Sequence, residues 1–390
     1  GAHGIGLDSA ASRLLPASAS AGLAGATLRQ LLDHRHGLDD ALLRRAPLDA
    51  RGFVDSPRLV EALGAAGRLA APGDVYSYSH AGAWLAAAVL ERLSGRRYET
   101  LLRETLLEPI EAAFRAAPLE PAVDTLDACG ARPAGPWAVV PQGDHSHRSG
   151  RADGAGEHSA TAVCPSAGGR LEVGISTLLE FLLTFGPRPL EDEALSPGGE
   201  ISPLPGWNVF ERGVHLGWKY YGAGWFGHNS TWPGASALAR VQPASRIALA
   251  VASTRRPATL VAAKLFGALL PELAHLRVPR AAPAEEMDTR RYEGLYRSAA
   301  WTVLVERSGD RRLVLRARPT APARAERAVS ARLRASADHL FFTEPPAGAS
   351  FTYVQFVSPC GDGFRYLWNG RFVLRKTPCS AKPDSRRSRG

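Results

Sequence analysis

The 390-residue sequence predicts an α/β (α+β) body, in which helices flank an antiparallel sheet, followed by a separate all-β domain. Three observations predict it. From Asp8 to about Leu276, helical stretches alternate with loops rich in Gly and Pro. After Trp218 the texture turns to aromatic and β-branched runs separated by turn signals. Beyond the Pro- and Ala-rich segment "VPRAAPAEEMDTR" only strand-like runs remain, five or more at roughly ten-residue spacing, as in a small antiparallel barrel or sandwich. The expected organisation is a body over 1–277, a linker over 278–290, a β-domain over 291–378 and a disordered basic tail over 379–390.

Taken in order, "TLRQLLDHRHGL" opens with Thr27 as an N-cap, carries leucines at helical spacing, and reaches Gly37 as the residue that closes the helix. "HAGAWLAAAVLERLSGRRYETLLRETLLEPI" reads as two helices divided at Ser94-Gly95, with Pro109 stopping the second. Residues 129–163 look like loop. "GISTLLEFLLTFG" is an amphipathic helix capped at Ser176 or Thr177. "KYYGAGWFGH" and "SALARVQPASRIALAVAST" are strands, and "ATLVAAKLFGALLPELAHL" is a closing helix. The β-domain strands are "WTVLVERSG", "RRLVLRARP", "ARLRASADHLFFTE", "SFTYVQFVSP" and "FRYLWNGRFVLRK".

Composition narrows the class. Apolar residues make up 45% and charged residues 22%, an ordinary globular balance. No run approaches the ~18 apolar residues of a membrane span. The net charge of +9 comes almost wholly from scattered arginines, because lysine stands only at 219, 264, 376 and 382, so nucleic-acid binding is not expected. Cys129, Cys164, Cys360 and Cys379 show no zinc spacing. Cys129–Cys164 and Cys360–Cys379 pairs suit an exported protein, and four separate thiols suit the spacing equally. His145, His147 and His158 alternate with acidic residues in a loop, without the fixed spacing of a metal site. No cofactor or metal is expected.

Five segments occur in an order that resembles the serine penicillin-binding-protein and class C β-lactamase-like family. They are "LDSAASRLLP", "TLRQLLDHRHGL", "PGDVYSYSHAG", "CPSAGGRLEVGISTLLEFL" and "YGAGWFGHNSTWPG". The resemblance implies a β-lactamase/DD-peptidase-like body. "RRYEGLYRSAAWTVLV" with "FRYLWNGRFVLRK" resembles the lipocalin-like barrel appended to some esterase and peptidase members. It also implies serine acyl-enzyme chemistry on a small-molecule or peptide acyl donor, be it peptide, ester, amide or lactam. Carried over residue by residue, Tyr78 takes the general-base role and His228 the catalytic strand position. His80, Gly227, Asn229, Ser230, Thr231 and Trp232 line the substrate, with the strand's oxyanion N–H near Thr231. The family favours a secreted or periplasmic location and leaves the cytoplasm open.

The sequence departs from the family in three places. No Ser-x-x-Lys occurs: Leu216, Val261, Val373 and Cys379 stand three residues before the four lysines, and the family's serine helix would precede Gly1. The expectation is therefore a chain that begins downstream of its nucleophile and is inactive by itself. The alternative is a catalytically degenerate pseudoenzyme acting as a binding module. His80 stands where the family has asparagine; a neutral imidazole offers one donor and one acceptor on opposite edges, unlike an amide. Ser230 replaces a glycine where the acyl group must lie close to the strand. His34 and His36 read as packing or capping residues of the first helix. Trp218, Trp225 and Trp232 fit either an apolar pocket or the sheet core.

Overall fold

The computed structural model describes residues 5–17, 22–23, 25–39, 56–64, 67–110, 112, 137–139, 171–173, 175–186, 211, 213–232, 235–253, 265–266, 269, 288–309, 312–320, 328–336, 339–347 and 351–377. Contact density divides the chain into two units. The first is Gly1–His36, Leu43–Ala66 and Ser79–Val278; the second is Gly37–Leu42, Gly67–Tyr78 and Pro279–Gly390. A single cut near residue 278 does not reproduce this division, because two stretches of the N-terminal part go with the C-terminal domain.

In the first unit, helices α1 (Ala11–Leu14), α2 (Leu28–Leu32), α3 (Ser56–Gly64), α4 (Ala81–Ser94), α5 (Tyr98–Leu102) and α6 (Ile175–Phe185) accompany a five-stranded antiparallel sheet. Its strands are β3 (Gly213–His215), β4 (Trp218–Gly222), β5 (Trp225–Trp232), β6 (Ala235–Gln242) and β7 (Ile247–Ser253), paired in chain order. Thr27 caps α2 in a reciprocal capping box with Gln30. The helix ends at Asp33 rather than at Gly37, because His34 takes the left-handed conformation (φ 58°). Gly95 (φ 68°) closes α4 as expected. Pro109 does not stop the helix after it: a π-helical turn over Arg103–Leu107 leads into helical residues 108–110. The wider turn relieves the ladder where proline has no N–H to give. Ser176 and Thr177 lie inside the first turn of α6 rather than capping it.

The sheet has two buried faces. Phe226, Ala239 and Val241 pack with Leu182 of α6, joined by Phe181 and Trp218, whose rings stack 6.0 Å apart. Tyr221, Trp225, Leu238 and Phe266 form the core of the other face. Trp218 and Trp225 are thus sheet-core residues. β1 (Trp137–Val139), inside the stretch 129–163 expected to be loop, pairs antiparallel with β2 (Leu171–Val173) beyond it. Most of the expected closing helix lies outside the described residues; 265–266 and 269 are helical.

The second unit is built on a closed eight-stranded antiparallel barrel. Its strands are β8 (Gly294–Arg297), β9 (Trp301–Arg307), β10 (Leu313–Pro319), β11 (Val329–Ala335), β12 (Leu340–Ala347), β13 (Phe351–Cys360), β14 (Gly363–Trp368) and β15 (Val373–Lys376). Closure is made by Arg375 opposite Arg297 and Lys376 opposite Tyr296, which removes the open edges of the sheet. Alternation along β9 sends Trp301, Val303 and Val305 inward, where they join Tyr292, Tyr296, Phe341, Phe351 and Phe356 in one apolar core. The lipocalin-like expectation agrees with this barrel. Cys360 is an exposed free thiol among the described residues, and its expected partner Cys379 lies outside them. Cys129, Cys164, Cys379, the three loop histidines and the basic tail lie outside the described residues. Among those described, no helix is long and apolar enough to cross a membrane, and no His/Cys/Asp/Glu group could hold a metal ion.

Candidate active site

The tripeptide Tyr78-Ser79-His80 spans the division between the units, with Tyr78 in the second and Ser79 and His80 in the first. His80 occupies the N-cap of α4 but makes no side-chain cap; the Ser79 hydroxyl accepts from the Ala81 N–H at 3.0 Å instead. The His80 ring stacks on Trp84, one turn on, with centroids 6.0 Å apart. Ser79 is wholly buried, and its N–H points at Nδ1 of His34 at 3.4 Å. His34 can serve there because its left-handed backbone turns it off the end of α2. The preceding Asp33 accepts the Leu216 N–H at 2.5 Å. Burial raises the Asp33 pKa against that bond and nearby His215, Arg29 and Arg35.

His228 lies on β5 opposite Ala239. Desolvation, then the charge of Lys219, pushes its pKa down to about 3, although the residue keeps part of its surface open. His34 is held well below the ordinary histidine value, first by burial and then by His36, His228, Lys219 and His80. These groups therefore share one electrostatic neighbourhood in which His34 and His228 are neutral at pH 7. With Nδ1 of His34 accepting, its proton sits on Nε2. Lys219, ion-paired to Glu211, and Arg240 are cations that act on His228.

The predicted strand residues do not act as one row. Alternation puts His228 and Asn229 on opposite faces of β5. Asn229 accepts from Nη1 of Arg240 at 2.9 Å, beside the Tyr221 ring on which that guanidinium lies at 3.6 Å. Gly227 is needed for packing, since a Cβ there would overlap the Ala239 carbonyl oxygen on β6. Ser230, Thr231 and Trp232 continue the strand opposite Ala237, Ser236 and Ala235. Sequence reasoning gave His34 a packing role; nothing local announces its bond to Ser79, 45 residues away.

Tyr78 belongs to the second unit through its backbone. Its N–H donates to the Arg371 carbonyl at 2.8 Å, and the Arg371 guanidinium lies 5.4 Å over its ring. One residue earlier, the buried Ser77 hydroxyl accepts the Val373 N–H at 3.2 Å. Asp74 accepts from the Tyr366 hydroxyl at 3.3 Å. Gly37 and Asp39 are held in the same way, with Asp39 accepting the Ala299 N–H at 2.5 Å and Gly37 accepting that of Leu69 at 2.9 Å.

The chain belongs to the Beta-lactamase family, whose model matches residues 2–273. It is 27% identical over 299 residues to penicillin-binding protein 4 of Amycolatopsis lactamdurans, covering 72% of this chain and 74% of that one. Among solved structures it is similar to SurE in complex with D-Leu (TM-score 0.61, 22% identity, 96% of this chain and 82% of that chain). It is equally similar to SurE alone (TM-score 0.61, 21% identity, the same coverage).

Proposed function

We propose that the protein acts in serine acyl-enzyme chemistry on a peptide, ester, amide or lactam, with Tyr78 as the proton carrier of the acylation step. A serine hydroxyl attacks the acyl carbonyl; Tyr78 takes the serine proton and returns it to the departing group, and water then cleaves the ester. His228 and the backbone of β5 hold the acyl donor, with an N–H near Thr231 directed at the developing oxyanion. His80 faces the substrate in place of the family's asparagine, offering one donor and one acceptor on opposite edges where an amide offers both on one.

The observation that carries this reading is the tethering of Tyr78 within its own unit. The Tyr78 N–H donates to the Arg371 carbonyl, and the neighbouring Ser77 hydroxyl accepts the Val373 N–H. A base must be held within hydrogen-bond reach of the proton it takes, and a tyrosine on an untethered loop would not be.

The chemistry requires a Ser-x-x-Lys, which these 390 residues lack. The reading is tested by recovering the coding frame upstream of Gly1 and treating the encoded protein with a fluorophosphonate or penicillin. Labelling at a serine that weakens strongly in Tyr78→Phe is expected. A frame without that motif, or a full-length protein that is never acylated, supports the pseudoenzyme instead.

A further inference from the structure

The hairpin between β14 and β15 has a built tip. The Asn369 side-chain carbonyl accepts the N–H groups of Arg371 at 3.2 Å and Phe372 at 3.0 Å, and the Asn369 N–H closes onto the Phe372 carbonyl at 3.2 Å. Such a side chain replaces a backbone turn and holds the loop in one shape. Gly370 sits at φ 91°, and a Cβ there would run into the Tyr353 hydroxyl, so the tip admits no other residue without shifting. The Arg371 carbonyl and the Val373 N–H of this rigid tip engage Tyr78 and Ser77, and the Arg371 side chain reaches over the Tyr78 ring.

We infer that the Asn369–Val373 hairpin is a clamp that positions Tyr78, and that Arg371 lends its charge to the phenolate form of that tyrosine. The second half rests on the reading of Tyr78 as proton carrier; the clamp rests on geometry alone. Sequence separation argues for a dedicated role, since nearly 300 residues of chain must be closed to make each contact. Arg371 is thereby a positioning residue for Tyr78 within the same unit. A cation beside the ring favours the anionic over the neutral phenol. Among the described residues, other titratable groups that the unit brings to this segment include Asp74 with Tyr366, and Asp39. Arg365 and Arg375 act on Tyr366.

The test is an NMR titration of the whole chain carrying ring-labelled tyrosine, with the Tyr78 signal assigned by Tyr78→Phe. The same samples report exchange of the Tyr78 amide. Arg371→Met and Arg371→Gln should raise the Tyr78 midpoint by roughly half a pH unit or more, since Arg371 is exposed and partly screened. Arg371→Lys should restore most of it. All three keep the backbone carbonyl and should leave amide exchange unchanged. Asn369→Ala should speed exchange of the Tyr78 amide roughly tenfold or more. A midpoint that moves by less than about 0.2 unit in both neutral variants overturns the charge role. Unchanged Tyr78 exchange in folded Asn369→Ala overturns the clamp. Neither readout depends on acylation, so failure of the serine-hydrolase reading would appear only in the labelling experiment.

Discussion

Gly82 of α4 lies so close to Leu31 of α2 that a Cβ on Gly82 would overlap the Leu31 carbonyl oxygen. This contact sets how near the helix that opens with Ser79 and His80 comes to the helix that ends at His34. Gly82→Ala gains about 1 kcal/mol of helix propensity. The clash is with backbone rather than a flexible side chain, and overpacking of that kind costs about 1–3 kcal/mol. The clash should win, giving a net loss of up to about 2 kcal/mol in denaturant unfolding. A variant as stable as the parent would show that the two helices separate freely.

His228 makes stability depend on pH. Its folded pKa of about 3 lies below the ordinary histidine value, so the unfolded chain binds the proton first as pH falls. The contribution is fully present above about pH 6.5 and is lost progressively towards pH 3. His34 acts in the same direction. In His228→Gln the fall in urea midpoint between those limits should be shallower than in the parent. A slope unchanged by the substitution would mean that His228 protonates in place.

Ser77 is buried and accepts the N–H of Val373, which is itself fully buried. Ser77→Ala takes away the acceptor without admitting water, and a stranded donor costs about 1–3 kcal/mol. The expected outcome is lower stability together with faster exchange of the Val373 amide, seen by NMR. Loss of stability without a change at that amide would place the effect elsewhere.

Arg240 is fully buried, and neither its Nε nor its Nη2 finds a hydrogen-bond partner among the described residues. Its bonded partners are the neutral Asn229 side chain and the Ala239 carbonyl. Because no carboxylate is stranded when it is removed, Arg240→Met should stay within about 1 kcal/mol of the parent or exceed it. A loss above about 3 kcal/mol in chemical denaturation would show that the stack on Tyr221 outweighs desolvation.

Much of the fold was legible because it is encoded locally. The Thr27 cap, the Gly95 stop and the alternation of β9 each depend on a few neighbouring residues. The motif order led to the family because the segments recur along the chain. Pro109 misled because a π-helical turn, which has no local signature, absorbs it. Asn229 was grouped with His228 by adjacency, whereas the period of a strand separates neighbours onto opposite faces.

The sequence by itself determined the helix-and-sheet body and the barrel strands, since periodicity and caps act over a few residues. Only the tertiary structure decided which groups hold the Tyr78 and Ser79 N–H groups, each within its own unit. The bonds from Arg371 to Tyr78 and from His34 to Ser79 close long stretches of chain, and no local preference specifies the partner of a backbone N–H once it leaves a helix or strand. Barrel closure between β15 and β8 is of the same kind, a pairing chosen by which edges remain open when the other strands have met.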